Sequence, residues 1–291
     1  MNWDIILDAF LDTVKVFPFL LLIYILIEFL EQKATFTRNH KILQGKLAPL
    51  LGSATGIIPQ CGFSVMAAKL YDRGLIRCGT LFAVFLATSD EALIILLSSG
   101  ANAAYVMPLV AIKLVIGIGF GYLINFVFTA EKLAEEIDVE IHAYSCGREH
   151  EGKNDLKVYF LNPLIHSLKI AFYLLMVNLV FGFIIAAVGE EAIESSLMIG
   201  GAYWQPFITA IIGLIPNCAS SVVITQTFID GGILFGSCIA GLCANAGLGL
   251  VVLFKNTKKI KRNILFVLTL YLISAVSGLI VNCFMVLCNL V

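Results

Sequence analysis

Gly56-Ile57-Ile58-Pro59-Gln60-Cys61-Gly62-Phe63-Ser64-Val65 returns later in the chain as Gly213-Leu214-Ile215-Pro216-Asn217-Cys218-Ala219-Ser220-Ser221-Val222, at a constant offset of 157 residues. The offset holds without a gap beyond the motif. Pro49 falls on Pro206, Gly74 on Gly231, Ile76 on Ile233, Gly79 on Gly236, Ala83 on Ala240 and Ala87 on Ala244. Duplicated halves with helix breakers inside apolar segments are a transporter signature, and the breaks point to the binding site.

Composition agrees with that reading. Apolar residues make up 59% of the 291 residues and charged residues 13%, with a mean hydropathy of +0.95. A soluble domain carries roughly 25% charged residues. The expectation is a polytopic helical protein whose main partner is the lipid bilayer. The apolar runs are long and continuous, which excludes a transmembrane barrel of short alternating strands. The net charge of −1 is segregated along the chain, and no nucleic-acid partner is expected.

The start, Met1-Asn2-Trp3-Asp4, lacks the basic residues and small-residue cleavage site of a signal peptide. Asp4, Asp8 and Asp12 share one helical face, either the wet side of an amphipathic leading helix or an ion-collecting stripe. Of the eight cysteines, only Cys146 lies in a polar loop; Cys61, Cys78, Cys218, Cys238, Cys243, Cys283 and Cys288 lie in or beside apolar segments. That is no disulfide framework. A buried cysteine is most often a small hydrophobe, so position must justify any chemical role.

Eight apolar stretches run near 14–30, 47–70, 75–98, 103–128, 160–189, 200–229, 232–254 and 264–290. A spanning helix needs about 20 residues. Leu47 to Ile58 gives only about 18 Å of helix before Pro59, and the leg from Gly62 to Tyr71 is equally short. The two legs, followed by a turn at Asp72-Arg73-Gly74, read as a re-entrant hairpin. Its second copy has legs near Phe207–Ile215 and Ser220–Phe228 and a turn at Asp230-Gly231-Gly232. The next segment of each copy is interrupted too, at Ala87-Thr88-Ser89-Asp90-Glu91-Ala92 and at Cys243-Ala244-Asn245-Ala246-Gly247-Leu248-Gly249. Polar, glycine-rich backbone at membrane depth is tolerated where it lines a cavity or is buried in protein. The bland alternative is a pair of kinked helices with small residues for close packing.

Charge placement sets an orientation. Lys33, Arg38, Lys41 and Lys46 precede the first copy, and Ser98 to Ala104 after it carries no charge. Glu190, Glu191 and Glu194 precede the second, and Lys255 to Arg262 after it is basic. Under the positive-inside rule the copies enter from opposite sides. The expected fold is therefore an all-α polytopic membrane protein with two inverted-topology repeats, each with a re-entrant hairpin and a broken transmembrane helix. The repeats are expected at 1–128 and 160–291, joined by a polar cytoplasmic linker at 129–159. The expected location is the plasma membrane, with the basic loops 31–46 and 255–263 cytoplasmic.

The hairpin tips offer Gln60, Cys61 and Ser64, and Asn217, Cys218, Ser220 and Ser221. The breaks offer Thr88, Ser89, Asp90 and Glu91, and Asn245. An ionised acid at the bilayer centre costs roughly 2.5–3.5 kcal/mol. Two adjacent acids there need a cation, a proton or a basic partner. Lys113 is a candidate ion-pair partner; otherwise Asp90 and Glu91 coordinate a cation or carry the coupling proton. Thiolates suit soft or borderline metals and carboxylates suit harder ions such as manganese, so ligand type leaves the metal open. In the linker, His142, Cys146 and His150 are spaced by four, a weak metal-site signal beside the alternative of a solvated loop with incidental histidines.

The Pro-Gln-Cys-Gly and Pro-Asn-Cys-Ala-Ser-Ser copies, the Thr-Ser-Asp-Glu-Ala break and the Cys/His linker resemble the ten-helix heavy-metal exporters, described as manganese transporters or arsenic efflux permeases. Six spanning helices and four hairpin legs would make ten. The resemblance implies efflux of a divalent or heavy-metal ion, and proton exchange is the expected drive. No resident cofactor is expected beyond the transported metal ion. The alternative is a transporter of a small organic or oxyanionic solute coupled to a cation. An enzyme is not expected: no histidine lies in either copy of the motif to activate a thiolate, and no phosphate-binding loop occurs.

Overall fold

The computed structural model describes residues 45–88, 91–127, 155–198, 201–255 and 260–288, with scattered positions between 6 and 25. Among the described residues all regular structure is helical. The first half runs α1 (Ala48–Gly56), α2 (Cys61–Asp72), α3 (Cys78–Ala87), α4 (Ala92–Ser98), a 3₁₀ segment (Gly100–Tyr105) and α5 (Val106–Val127). The second runs α6 (Asp155–Val188), α7 (Glu190–Leu197), α8 (Gly201–Gly213), α9 (Cys218–Ile229), α10 (Phe235–Ala244), α11 (Leu248–Phe254) and α12 (Ile260–Leu287).

Local chemistry sets these boundaries. α1 opens with Pro49 in its first turn, where a missing N–H costs nothing. Pro59 then keeps the chain from continuing the helix. α2 ends in a reversal at Gly74, whose φ of 71° is the left-handed conformation that glycine adopts freely. Gly74 N–H donates to Tyr71 O (2.9 Å) and Leu75 N–H to Leu70 O (2.9 Å), which satisfies the last carbonyls of the helix. Gly231, with φ of 76°, repeats the turn: Gly231 N–H donates to Phe228 O and Gly232 N–H to Thr227 O.

α8 differs from the expected leg, which was to begin near Phe207. It starts at Gly201 and carries Pro206 inside the helix. Proline at that position leaves the carbonyl four residues earlier without its helical donor. Asn282 Nδ2 of α12 supplies one, donating to Ala202 O at 2.9 Å. A side chain from another helix thus lets α8 run through its proline.

Packing repeats at the same offset as the sequence. α3 packs on α1 and α5, and α10 packs on α8 and α12. Gly79 of α3 faces Gly121 and Asn125 of α5; their offset mates Gly236, Gly278 and Asn282 meet in the same way. A Cβ on Gly79 would overlap Gly121 O, and one on Gly236 would overlap Gly278 O. Small residues let these backbones approach, as in helix pairs packed within lipid. The halves also pack crosswise: α2 lies against α11, and α9 against α4.

Five helical stretches among the described residues are long and apolar enough to cross a membrane: Cys78–Ser98, Asn102–Val127, Ser167–Val188, Phe235–Phe254 and Ile260–Leu287. The two that contain the breaks are 75% and 94% buried over their most apolar windows, against 24% to 33% for the others. The broken helices are the centre of the molecule. The unbroken ones, with Val115, Phe126 and Leu287 exposed, present an apolar surface outward. This is a multi-pass membrane protein.

Candidate functional site

The two Pro-X-Cys tips meet. Cys61 heads α2, Cys218 heads α9, and their Sγ atoms lie 3.3 Å apart, both buried. The loops that bring them there are built alike. Gln60 and Asn217 are extended, and each backbone N–H donates to the carbonyl two residues earlier (Ile58 O and Ile215 O, both 2.7 Å). Ser64 Oγ donates to Cys61 O and Ser221 Oγ to Cys218 O, both at 2.8 Å.

The tips then diverge in side-chain chemistry. Asn217 Oδ1 accepts from Ala219 N–H (3.2 Å) and so caps its own helix, whereas Gln60 makes no such cap. Ser220 Oγ donates to Ile215 O and Asn217 O and accepts from Asn245 Nδ2 at 3.2 Å. Asn245 Oδ1 accepts from Gly247 N–H at 2.9 Å. One asparagine therefore ties the second break to the second tip. At the first break, Thr88 Oγ1 donates to Val84 O (2.8 Å) and closes the end of α3. Glu91 is half-buried at the head of α4.

Of the residues singled out in the sequence, Cys61, Ser64, Cys218 and Ser221 converge at the tip contact, and Ser220, Asn217 and Asn245 form the adjoining network. Ser89, Asp90, His142, Cys146 and His150 lie outside the described residues, as do Asp4, Asp8 and Asp12. Among the described residues no three of His, Cys, Asp and Glu come together in a metal-binding group.

Lys113, one candidate ion-pair partner for Asp90 and Glu91, lies on α5 and is fully buried; Asp90 lies outside the described residues. The Lys113 ammonium donates to two backbone carbonyls, Thr88 O at the end of α3 and Leu242 O (2.9 Å) in the last turn of α10. A backbone acceptor leaves no mark in a sequence, which is why this pairing was not foreseen.

Two further contacts went unread. Arg262 lies over the Tyr71 ring at 4.8 Å, and Tyr105 meets Phe228 edge-on at 5.2 Å. Tyr71 and Phe228 are offset mates, and so are Tyr105 and Arg262. Each contact joins the last turn of α2 or α9 to the other half. Carrying the 157-residue offset beyond the broken helices would have paired these positions.

Residues 3–199 match the family described as "Putative, 10TM heavy-metal exporter", well over half of the 291 residues. The chain belongs to this family. The matched stretch holds the first Pro-X-Cys copy and ends before the second, which the internal duplication brings into the same frame. Family membership together with the apolar helices makes the protein a membrane-embedded metal transporter. Comparison with curated proteins and with solved structures found no match.

Proposed function

We propose that this family member is a secondary-active exporter that moves a divalent or heavy-metal ion, manganese or a softer metal or metalloid, out of the cell in exchange for protons. The observation that carries the proposal is the 3.3 Å approach of Cys61 and Cys218. With metal–sulfur bonds of about 2.3 Å, that separation subtends about 90° at an ion between the sulfurs. Opening to a tetrahedral angle needs only about 0.5 Å more. Each sulfur heads a helix, where the partial positive charge of the N-terminus favours a negative ligand atom.

The neighbouring hydroxyls support a cation over an anion. Ser64, Ser221 and Thr88 each donate their one proton to backbone carbonyls of their own helix. What remains on each oxygen is lone pairs. Such oxygens can coordinate a metal ion but have no proton left for a carboxylate or oxyanion. Asp90 and Glu91, beside the first break, are proposed to take up protons as the ion leaves; their offset mates in the second half, Gly247 and Leu248, carry no charge.

In this reading α1–α2 and α8–α9 are re-entrant hairpins of two inverted repeats. The segments before α1 and after α11 then face the cytoplasm at the plasma membrane. The recurrence of packing contacts at offset 157 and the shortness of the legs support it. No catalytic role is assigned to either cysteine.

Flux into proteoliposomes tests the proposal. Manganese, zinc, cobalt and arsenite are offered with and without a proton gradient. At least one should move faster than in empty vesicles, and faster still with an opposing proton gradient. Absence of flux for all of them contradicts it. A second reading rests on the two helix N-termini that meet at the tips, which would suit an anionic solute. Metal-independent accumulation of an anion would favour that one.

A further inference from the structure

The two broken helices end on one ammonium. Thr88 O closes α3, Leu242 O lies in the last turn of α10, and Lys113 Nζ donates to both from full burial. A helix C-terminus carries roughly half a negative charge. Two such ends brought together favour a cation between them. In transporters with discontinuous helices, unwound carbonyls and half-helix C-termini form the sites of coupling cations. Here the same acceptor set is present and the chain fills it itself.

The position breaks the symmetry of the scaffold. The offset mate of Lys113 is Leu270, also fully buried. Around it the duplication is kept: Gly117, Gly121 and Asn125 of α5 stand against α3 or α1, as Gly278 and Asn282 of α12 stand against α10 or α8. A cation in one half only is therefore not required by helix packing. The other ionisable side chains facing Lys113 from α10 are the fully buried Cys238 and Cys243, and Glu91 heads α4 after the first break.

We infer that Lys113 is a tethered cation occupying a monovalent-cation site formed by the C-terminal ends of the two broken helices. The site takes an alkali-metal or ammonium-type ion when the lysine is shortened. Its consequence for flux rests on the transporter reading; its consequence for stability does not, so the two fail separately.

The purified full-length chain is unfolded thermally in choline, potassium, sodium or methylammonium chloride at equal ionic strength. The wild type should unfold at one temperature in all four. Lys113→Ala should unfold at a lower temperature in choline and recover, saturably, with at least one of the smaller cations. Lys113→Met, which fills the space without charge, should be destabilised without recovery. In proteoliposomes Lys113→Ala should lose metal flux in choline and regain it with the cation that restores stability. A wild type stabilised by potassium or sodium overturns the inference, as does a Lys113→Ala that no cation restores. If Lys113→Ala folds in methylammonium but not in choline, the site is supported; if it folds in neither, the site is wrong.

Discussion

Cys61 Sγ and Cys218 Sγ, at identical positions in the two copies of the motif, lie 3.3 Å apart and buried. The residues that announce the duplication are also one point at which its halves touch. A disulfide needs sulfurs at about 2.05 Å, so the thiols are adjacent and unbonded. Mild oxidation of a variant that keeps only these two cysteines should join them. With a protease site placed between residues 128 and 155, the cleaved halves should stay together on a non-reducing gel. They should separate when either cysteine is serine. Separation of the oxidised, cleaved protein would place the tips apart.

The packing of α3 on α5 and of α10 on α12 depends on absent side chains. Gly79 and Gly236 leave no room for a Cβ, whereas Gly119 has open space around it. Overpacking a filled interface typically costs about 1–3 kcal/mol, and a backbone neighbour cannot yield as a flexible side chain can. Gly79→Leu and Gly236→Leu should each lower the unfolding free energy in mixed micelles by at least that amount. Gly119→Ala should leave it within about 0.5 kcal/mol of wild type. Equal effects at all three sites would refute the recurring interface.

Asn245 holds two partners from the second break, Ser220 Oγ and Gly247 N–H. Leaving a buried donor unsatisfied costs about 1–3 kcal/mol. Asn245→Ala should therefore destabilise the protein by that order and lower metal flux, since the break and the tip lose their link. Asn245→Ser, shorter but still polar, should be intermediate. If Asn245→Ala matches wild type in both assays, the link plays no part.

The crosswise contacts should couple the halves. A double-mutant cycle on Tyr71→Ala and Arg262→Ala should give about 0.5–2 kcal/mol, the range of a cation–π contact from exposed to desolvated sites. The Tyr105→Ala and Phe228→Ala cycle should give about 0.5–1.5 kcal/mol. Additive effects in either cycle would remove that contact from the account.

Much of this fold was legible because its breaks are written in Pro, Gly and segment length. Pro59 and Pro216 follow the ends of α1 and α8, and Gly74 and Gly231 mark the turns after α2 and α9. α8 starts earlier than the leg read near Phe207–Ile215, and the donor that lets it run through Pro206 is Asn282 of α12, a contact between distant parts of the chain. The site was legible as a set of positions and not as bonds. Cys61 and Cys218 could be named from the repeat, but their contact is a property of two halves folded against each other. Two acceptors of Lys113 are backbone carbonyls, which no side-chain pattern records. The crosswise pairs lay within reach of the offset and needed it carried into α5 and α12.

The central claim is that an ion binds between the two tips. It is tested most directly by titrating the purified, reduced full-length protein with cadmium, a thiolate-seeking divalent ion, and following sulfur-to-metal charge-transfer absorption. The account predicts one ion per chain, with the absorption lost in Cys61→Ser and equally in Cys218→Ser, and kept when Cys238 or Cys283 is replaced. Absorption that survives the loss of both tip cysteines would contradict it.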